Sequence, residues 1–311
     1  MKKISTFFIA MFLMSSTLFA QKPALTNLAD SLKYGYWGRN TNLGLNLSGS
    51  AFSGNWQGGG INNLILGGVF ANKADFTKGK GVWSNDIQLQ LGTLTNYVKG
   101  KPKENRKNLD RVFAETKYSQ KINAKLNWFA AVSFLSQMTQ GVDYASNTKP
   151  IISNLFAPAF LTEGVGLEYK HSKHFSLSFG GATLRQTIVA SDKVKKSPAF
   201  ATSDAIYGVK KGSTVRNQGG FQGVAAYDKN LTERVNLKWR WQVFTPYKFN
   251  EFDHNLNMLA TVKVNKYVNL NASIIGIYDW DQTRGKIGAD KNPLKPWQLN
   301  GGANFGFALK L

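Results

Sequence analysis

The chain contains no cysteine, which excludes disulfides, thiolate metal sites and a cysteine nucleophile. Histidine is nearly missing as well: His171, His174 and His254 are the whole supply. Acidic residues are scarce, with 18 Asp plus Glu against 39 Lys plus Arg. Beyond Ala20 no apolar run approaches the roughly 20 residues of a membrane-crossing helix. These shortages rule out a helical membrane protein and leave a soluble periplasmic protein or a membrane β-barrel.

The N-terminus has the form of an export signal. Lys2 and Lys3 precede the apolar stretch FFIAMFLM (7–14), and SSTLFA follows with Ala20 at the expected cut. Residues 1–20 are therefore read as a signal peptide, and no Cys follows it for lipid attachment. Without Lys2 and Lys3 the charge falls from +21 to about +19. Such an excess calls for a polyanionic neighbour. For an exported chain that neighbour is expected to be lipopolysaccharide and outer-membrane lipid rather than nucleic acid.

What the sequence has in quantity is period-two alternation. Val235–Val243 sets Val235, Leu237, Trp239, Trp241 and Val243 against Asn236, Lys238, Arg240 and Gln242. The last stretch, PWQLNGGANFGFALKL, alternates apolar and small polar residues to Leu311. Such segments are strands with different solvents on their two faces. Twelve are read: 41–52, 60–74, 81–95, 109–121, 125–139, 158–170, 174–189, 217–229, 233–246, 252–264, 267–280 and 296–311. The connections alternate in length. FTKGKG, KINAK, HSKH, KNLTE and NKY are short, whereas 96–108, 140–157, 190–216, 247–251 and 281–295 are mostly long. Even strand number and sorted loops predict an all-β fold, a transmembrane antiparallel up-and-down barrel of about 12 strands over 41–311. Residues 21–40 are read as a short periplasmic N-terminal segment, with both termini periplasmic. Trp83, Tyr118, Trp128, Tyr169, Phe175 and Tyr227 fall near the short turns, and Tyr278, Trp280 and Trp297 near the long loops, as two interfacial girdles would. The terminal strand closes the ring, since no edge can stay open in hydrocarbon. It resembles the C-terminal signal of outer-membrane proteins, with Leu311 where an aromatic residue usually stands.

Five stretches carry a family resemblance: NWQGGGINN (55–63), SFLSQMTQGVDY (133–144), ISNLFAPAFLTEGVGLEYK (152–170), TIVASD (187–192) and KVNKYVNLNASIIGIYDWD (263–281). Together they resemble a family of Bacteroidota outer-membrane β-barrels described only as a domain of unknown function. The resemblance implies a signal peptide, a barrel and an outer-membrane location. It implies no activity and supplies no catalytic residue.

Chemistry-bearing residues are few. His171 and His174 flank HSKH with a metal-compatible spacing but read as a solvated turn, so no metal or cofactor is expected. His254 shares parity with Leu256 and Met258 and should face outward near the rim, where a lipid hydrolase would need a partner Ser that the sequence does not name. By parity the lumen should hold Asp86, Arg111, Glu115, Lys117, Glu168, Lys238, Arg240, Asp253, Lys263, Asp279 and Lys310, because the lipid face rejects charge. The long loops are basic: Lys99, Lys101, Lys103, Arg106 and Lys107, then Lys193, Lys195 and Lys196, then Lys210 and Lys211, with Arg284, Lys286, Lys291 and Lys295 beyond. They are expected to meet lipopolysaccharide phosphates. The leading expectation is a narrow pore, weakly anion-preferring through Lys238, Arg240 and Lys263, for small polar or anionic solutes. The alternatives are a non-conducting barrel that docks other envelope proteins, its lumen plugged with help from 21–40, and a lipid-modifying enzyme at the rim.

Overall fold

A computed structural model describes residues 35–53, 60–98, 100–265, 268–279 and 297–310. The expected signal peptide (1–20), most of the 21–40 segment, Lys99, Trp280 and the four cations between 284 and 295 lie outside them.

The described chain forms sixteen strands. They are β1 (Tyr36–Ser50), β2 (Asn62–Lys78), β3 (Gly81–Tyr97), β4 (Glu104–Lys121), β5 (Leu126–Ser136), β6 (Gly141–Val142), β7 (Ile151–Ser153) and β8 (Ala159–Lys170). There follow β9 (Phe175–Ile188), β10 (Ala205–Ile206), β11 (Val209–Lys210), β12 (Val215–Asn230), β13 (Val235–Pro246), β14 (Asp253–Lys263), β15 (Val268–Tyr278) and β16 (Trp297–Lys310). Twelve of these make one closed antiparallel ring, β1-β2-β3-β4-β5-β8-β9-β12-β13-β14-β15-β16, each strand beside its successor. β6–β7 and β10–β11 are separate two-stranded pairs within loops. All twelve segments read from alternation are barrel strands. The ring closes through six pairs, from Asn42↔Lys310 to Leu47↔Phe305. Closure satisfies backbone groups that hydrocarbon could not solvate.

Three boundaries differ from the sequence reading by four residues or more, each for a pairing reason. β1 starts at Tyr36 rather than 41, because Tyr36–Asn40 pair with Lys73–Thr77; residues 36–40 are wall, not a periplasmic segment. β2 runs to Lys78, which shortens the first tight turn to Gly79–Lys80. β4 starts at Glu104 rather than 109, because Asn108 is an extra residue in the β3–β4 register and pairing resumes beyond it, Thr93↔Lys107 to Asn96↔Glu104. A bulge of this kind lets a strand continue with its side-chain alternation reset. The sorting of connections survives these shifts. Every tight turn lies at one end, with the start of β1 and the end of β16.

The hydrophobic residues are distributed inside out relative to a soluble domain. Large apolar side chains stand exposed around the outer wall, among them Leu45 (62 %), Leu66 (48 %), Val165 (54 %), Phe179 (54 %) and Leu299 (72 %). Among the described residues only nine hydrophobic residues are buried. An apolar outside and a charged inside need lipid as the outer solvent, so this is a β-barrel membrane protein. The short-turn end carries an aromatic belt in which Tyr118 meets Trp128 at 5.5 Å and Trp239 stacks near Tyr227 at 5.9 Å. At the long-loop end Tyr278 and Trp297 lie 5.8 Å apart.

Five of the nine buried hydrophobics are not in the barrel wall's interior but in its loops: Ala157, Val189, Val194, Ile206 and Val209. They join the β5–β8 connection (137–158) to the β9–β12 connection (189–214). Tyr207 donates to the Ile152 carbonyl, Asn154 Nδ2 donates to Ser191 Oγ at 3.1 Å, and Ala190 N donates to the Phe156 carbonyl at 2.8 Å. The two long loops thus form one small packed cap with its own core.

Candidate functional site

The lumen is built from one face of each strand. Asp86, Arg111, Glu115, Lys117, Glu168, Lys238, Arg240 and Asp253 take their inward places as alternation requires. What alternation could not give is who meets whom. Arg240 Nη2 of β13 donates to Glu115 Oε2 of β4 at 3.0 Å. Those strands are five apart in the ring, so this bond crosses the lumen. Lys117 pairs with Glu168, which also accepts from Asn127 at 3.1 Å and lies 3.4 Å from Lys170. Arg185 of β9 pairs with Asp253 of β14. Arg111 donates to Gln88 Oε1 at 2.9 Å, and Gln88 Nε2 donates to Asp86 at 3.0 Å. Inward aromatic rings pack among these charges. Arg111 lies 4.8 Å from the Phe113 ring, Lys117 4.8 Å from Phe129, and Arg185 5.2 Å from Phe244. Cations over ring faces gain electrostatic attraction without another carboxylate.

This network fills one half of the lumen. Between β4 and β13 lies a cavity of about 40 Å³, lined by Glu115, Lys117, Phe129, Gln222 and Arg240 among others. The half around the β1–β16 seam is different. Asn40, Asn42, Gln298 and Asn300 face inward and are exposed there, beside the aliphatic Ile65, Val69, Ile275 and Ile277 and a Lys73–Asp75 pair at 3.6 Å. Charge pairs bridge the lumen on one side; exposed amides, aliphatic residues and the single exposed pair Lys73–Asp75 line the other among the described residues.

The remaining expected lumen charges are placed as follows. Lys238 is inward near the short-turn end, 3.8 Å from Asp228, with its side chain 54 % exposed. Lys263 ends β14 at the same end and is exposed. Asp279 follows β15 at the opposite mouth and is buried. The Lys310 side chain lies outside the described residues.

Arg185 was missed by parity, and the reason is visible. Strict alternation from Phe175, Leu177 and Phe179 would turn Arg185 outward. The β8–β9 register jumps between Val165↔Ala182 and Gly166↔Gly180, and the β9–β12 register jumps between Gly220↔Thr183 and Gln222↔Gly180. That bulge reverses the faces, and Arg185 turns in. The glycines SFGGA were the signal that could have found it.

The expected basic loops split in two. Lys101 and Lys103 lie on the β3–β4 loop; Lys193 and Lys195 sit on a one-turn helix, Asp192–Lys195, with Lys196 after it; Lys210 is in β11 with Lys211 beside it. Lys211 Nζ donates to the Ala201 carbonyl at 2.6 Å and Lys195 Nζ to Thr214 Oγ1 at 2.8 Å. Arg106 and Lys107, by contrast, are wall residues of β4, not loop cations. Arg106 pairs with Glu104 at 2.8 Å, and its guanidinium lies 5.0 Å from the Tyr144 ring. Lys107 Nζ reaches Asp110 at 3.2 Å, Gln137 at 3.0 Å and the Thr139 carbonyl at 3.1 Å. They tie the cap's first loop to the barrel.

His254 faces outward as expected. Its ring stacks with Trp241 at 5.9 Å and meets Trp297 at 5.6 Å and Tyr278 at 5.4 Å, so aromatic rings rather than a serine surround it. In the HSKH turn His174 Nδ1 is 3.0 Å from the Asp228 carbonyl. No group of three or more His, Asp or Glu suited to a metal occurs among the described residues.

No curated protein matches the chain. Solved structures that match the chain include the translocator domain of autotransporter NalP from Neisseria meningitidis, at 10% identity and TM-score 0.30, covering 91% of this chain and 92% of that one. An anion-selective porin from Comamonas acidovorans matches at 7% identity and TM-score 0.31, covering 89% and 100%. The toluene transporter TodX from Pseudomonas putida matches at 8% identity and TM-score 0.29, covering 88% and 88%. At those scores the three say nothing of what this chain does. Residues 47–142, from the end of β1 to β6, match the model of the family described as protein of unknown function (DUF3078); of the five stretches read as resembling a family, 55–63 lies within the match and 133–144 all but its last two residues.

Proposed function

We propose that the protein is an outer-membrane barrel that gives small polar solutes a narrow passage beside an ion-paired septum. The observation that carries this reading is the division of the lumen: Arg240–Glu115 across one half, exposed inward amides along the other. Amide linings hydrate a path without fixing a charge preference. The weak anion preference expected from Lys238, Arg240 and Lys263 then falls mainly to Lys238 and Lys263, since Arg240 is spoken for by Glu115. The export signal in the sequence and the apolar outer wall favour the outer membrane, and the basic loops favour lipopolysaccharide as their neighbour.

Planar-bilayer recording of the folded protein tests this. A small conductance with weak anion preference is expected. Lys238→Gln should move the reversal potential toward zero. Arg240→Gln should raise conductance, because the septum loosens, and shift selectivity toward cations, because Glu115 is left uncompensated. An absence of conductance from folded protein would overturn the passage. It would favour the second reading, a non-conducting barrel that docks envelope partners, which the septum and the packed cap also support.

A further inference from the structure

A second concavity lies on the outside of the barrel. It has a volume of about 840 Å³ and is open along one side. Its floor is the outer face of β1, β2 and β3, where register places Leu45, Gly68 and Leu91 in one row and Leu47, Leu66 and Thr93 in the next. Gly68 makes the trough. It shares the outward parity of Leu66 and Phe70, and a Cβ there would meet no atom within 4 Å. Leucines flank this notch on both sides.

The far wall is polar and braced. Asn105 and Lys107 continue the outward face of β4, and Thr139, Gln140 and Tyr144 of the cap stand beside them. The Tyr144 hydroxyl accepts from the Lys107 backbone N–H at 3.1 Å. Asp110, its side chain 1 % exposed, accepts from the backbone N–H groups of Met138 and Thr139 at 2.7 and 2.8 Å. Around this wall Lys101, Lys103, Arg106, Lys107 and Lys149 outnumber Glu104, Asp110 and Asp143, leaving +2 among these residues. The groove therefore runs from leucine to cation, and it does so on a surface that faces lipid. Its volume is within the roughly 300–1,000 Å³ of sites that hold a small ligand.

We infer that this groove seats an acyl chain of lipid A, the chain along the Leu45–Gly68–Leu91 trough and a phosphate of the same molecule toward the cationic rim. The inference rests on the lipopolysaccharide reading above and deepens it to one site. A membrane-facing apolar trough takes a hydrocarbon chain because nothing else is present at that surface. The rim's net positive charge selects a phosphate-bearing amphiphile over a zwitterionic one.

Native mass spectrometry of the folded full chain, offered lipid A, phosphatidylglycerol or phosphatidylethanolamine at equal concentration, tests it. The wild-type barrel should retain one lipid A in preference to both phospholipids. Gly68→Leu, a change with open space to enter, should fill the trough and cut that retention at least tenfold. The unboiled gel shift confirms that the variant is folded. Lys193→Gln with Lys196→Gln, cap cations that do not line the groove, should leave the bound lipid A in place. Retention of lipid A by folded Gly68→Leu, with loss in the cap variant, would overturn the groove and leave the loops as the lipopolysaccharide contact. Preference for phosphatidylglycerol would overturn the assignment to lipid A. Retention of no lipid A by the wild type would overturn both the groove and the wider reading.

Discussion

Tyr207 shows how much of the cap depends on single polar groups. Its hydroxyl donates to the Ile152 carbonyl and joins the two long loops. Burial, and then the charge of Asp279, push the phenol up to about 12. An unfolded tyrosine titrates near about 10. The folded cap keeps a proton that the unfolded cap would lose, so its stabilising contribution is whole below about pH 10. It fades as the pH rises toward about 12. Ultraviolet titration of phenolate absorbance should reveal one late-ionising tyrosine, absent in Tyr207→Phe. That variant also loses a hydrogen bond, at a cost of about 1 kcal/mol. Ionisation of every tyrosine near pH 10 with the fold intact would show that the Tyr207 phenol is solvated.

At the scale of elements, bulges decide which face a residue takes. The β8–β9–β12 wall comes together where Gly166 and Gly220 allow backbones to touch. A Cβ on Gly166 would sit 1.9 Å from the Phe179 carbonyl oxygen, and one on Gly220 would sit 2.2 Å from that of Thr245. Gly166→Ala should therefore destabilise the folded barrel by roughly 3 kcal/mol or force the strand to shift. Gly68→Ala, with open space around it, should be neutral or slightly stabilising. Denaturant midpoints in detergent, read by the gel shift, separate the two; equal midpoints would mean that the wall yields at no cost. The same bulges mark the limit of what the sequence disclosed. Alternation located all twelve barrel strands and turned Asp86, Arg111, Glu115, Lys117 and Arg240 inward, because parity is a local property. It left Arg185 out of the lumen set and assigned Arg106 and Lys107 to a loop, because one inserted residue reverses every face beyond it. The Arg240–Glu115 pair was illegible for a different reason. Its partners are 125 residues apart, and only ring closure sets them opposite each other.

The whole molecule has one solvent outside and another inside, and its ends differ as well. One end has tight turns, both strand termini and a belt of Trp and Tyr; the other has the packed cap and most of the loop cations. Charge gives each end a direction. Long polar loops need water for their backbone groups, and a barrel delivered from the periplasm keeps its short turns on that side. The expected arrangement is short turns periplasmic, cap extracellular. An epitope inserted within 193–197 should then bind antibody on intact cells. One inserted at HSKH (171–174) should bind only after the outer membrane is breached. Reversed labelling would put the cap and its lysines in the periplasm. The lipid A groove, which lies toward the same rim, would then face the inner leaflet and lose its proposed ligand, although the septum and its conductance predictions would stand.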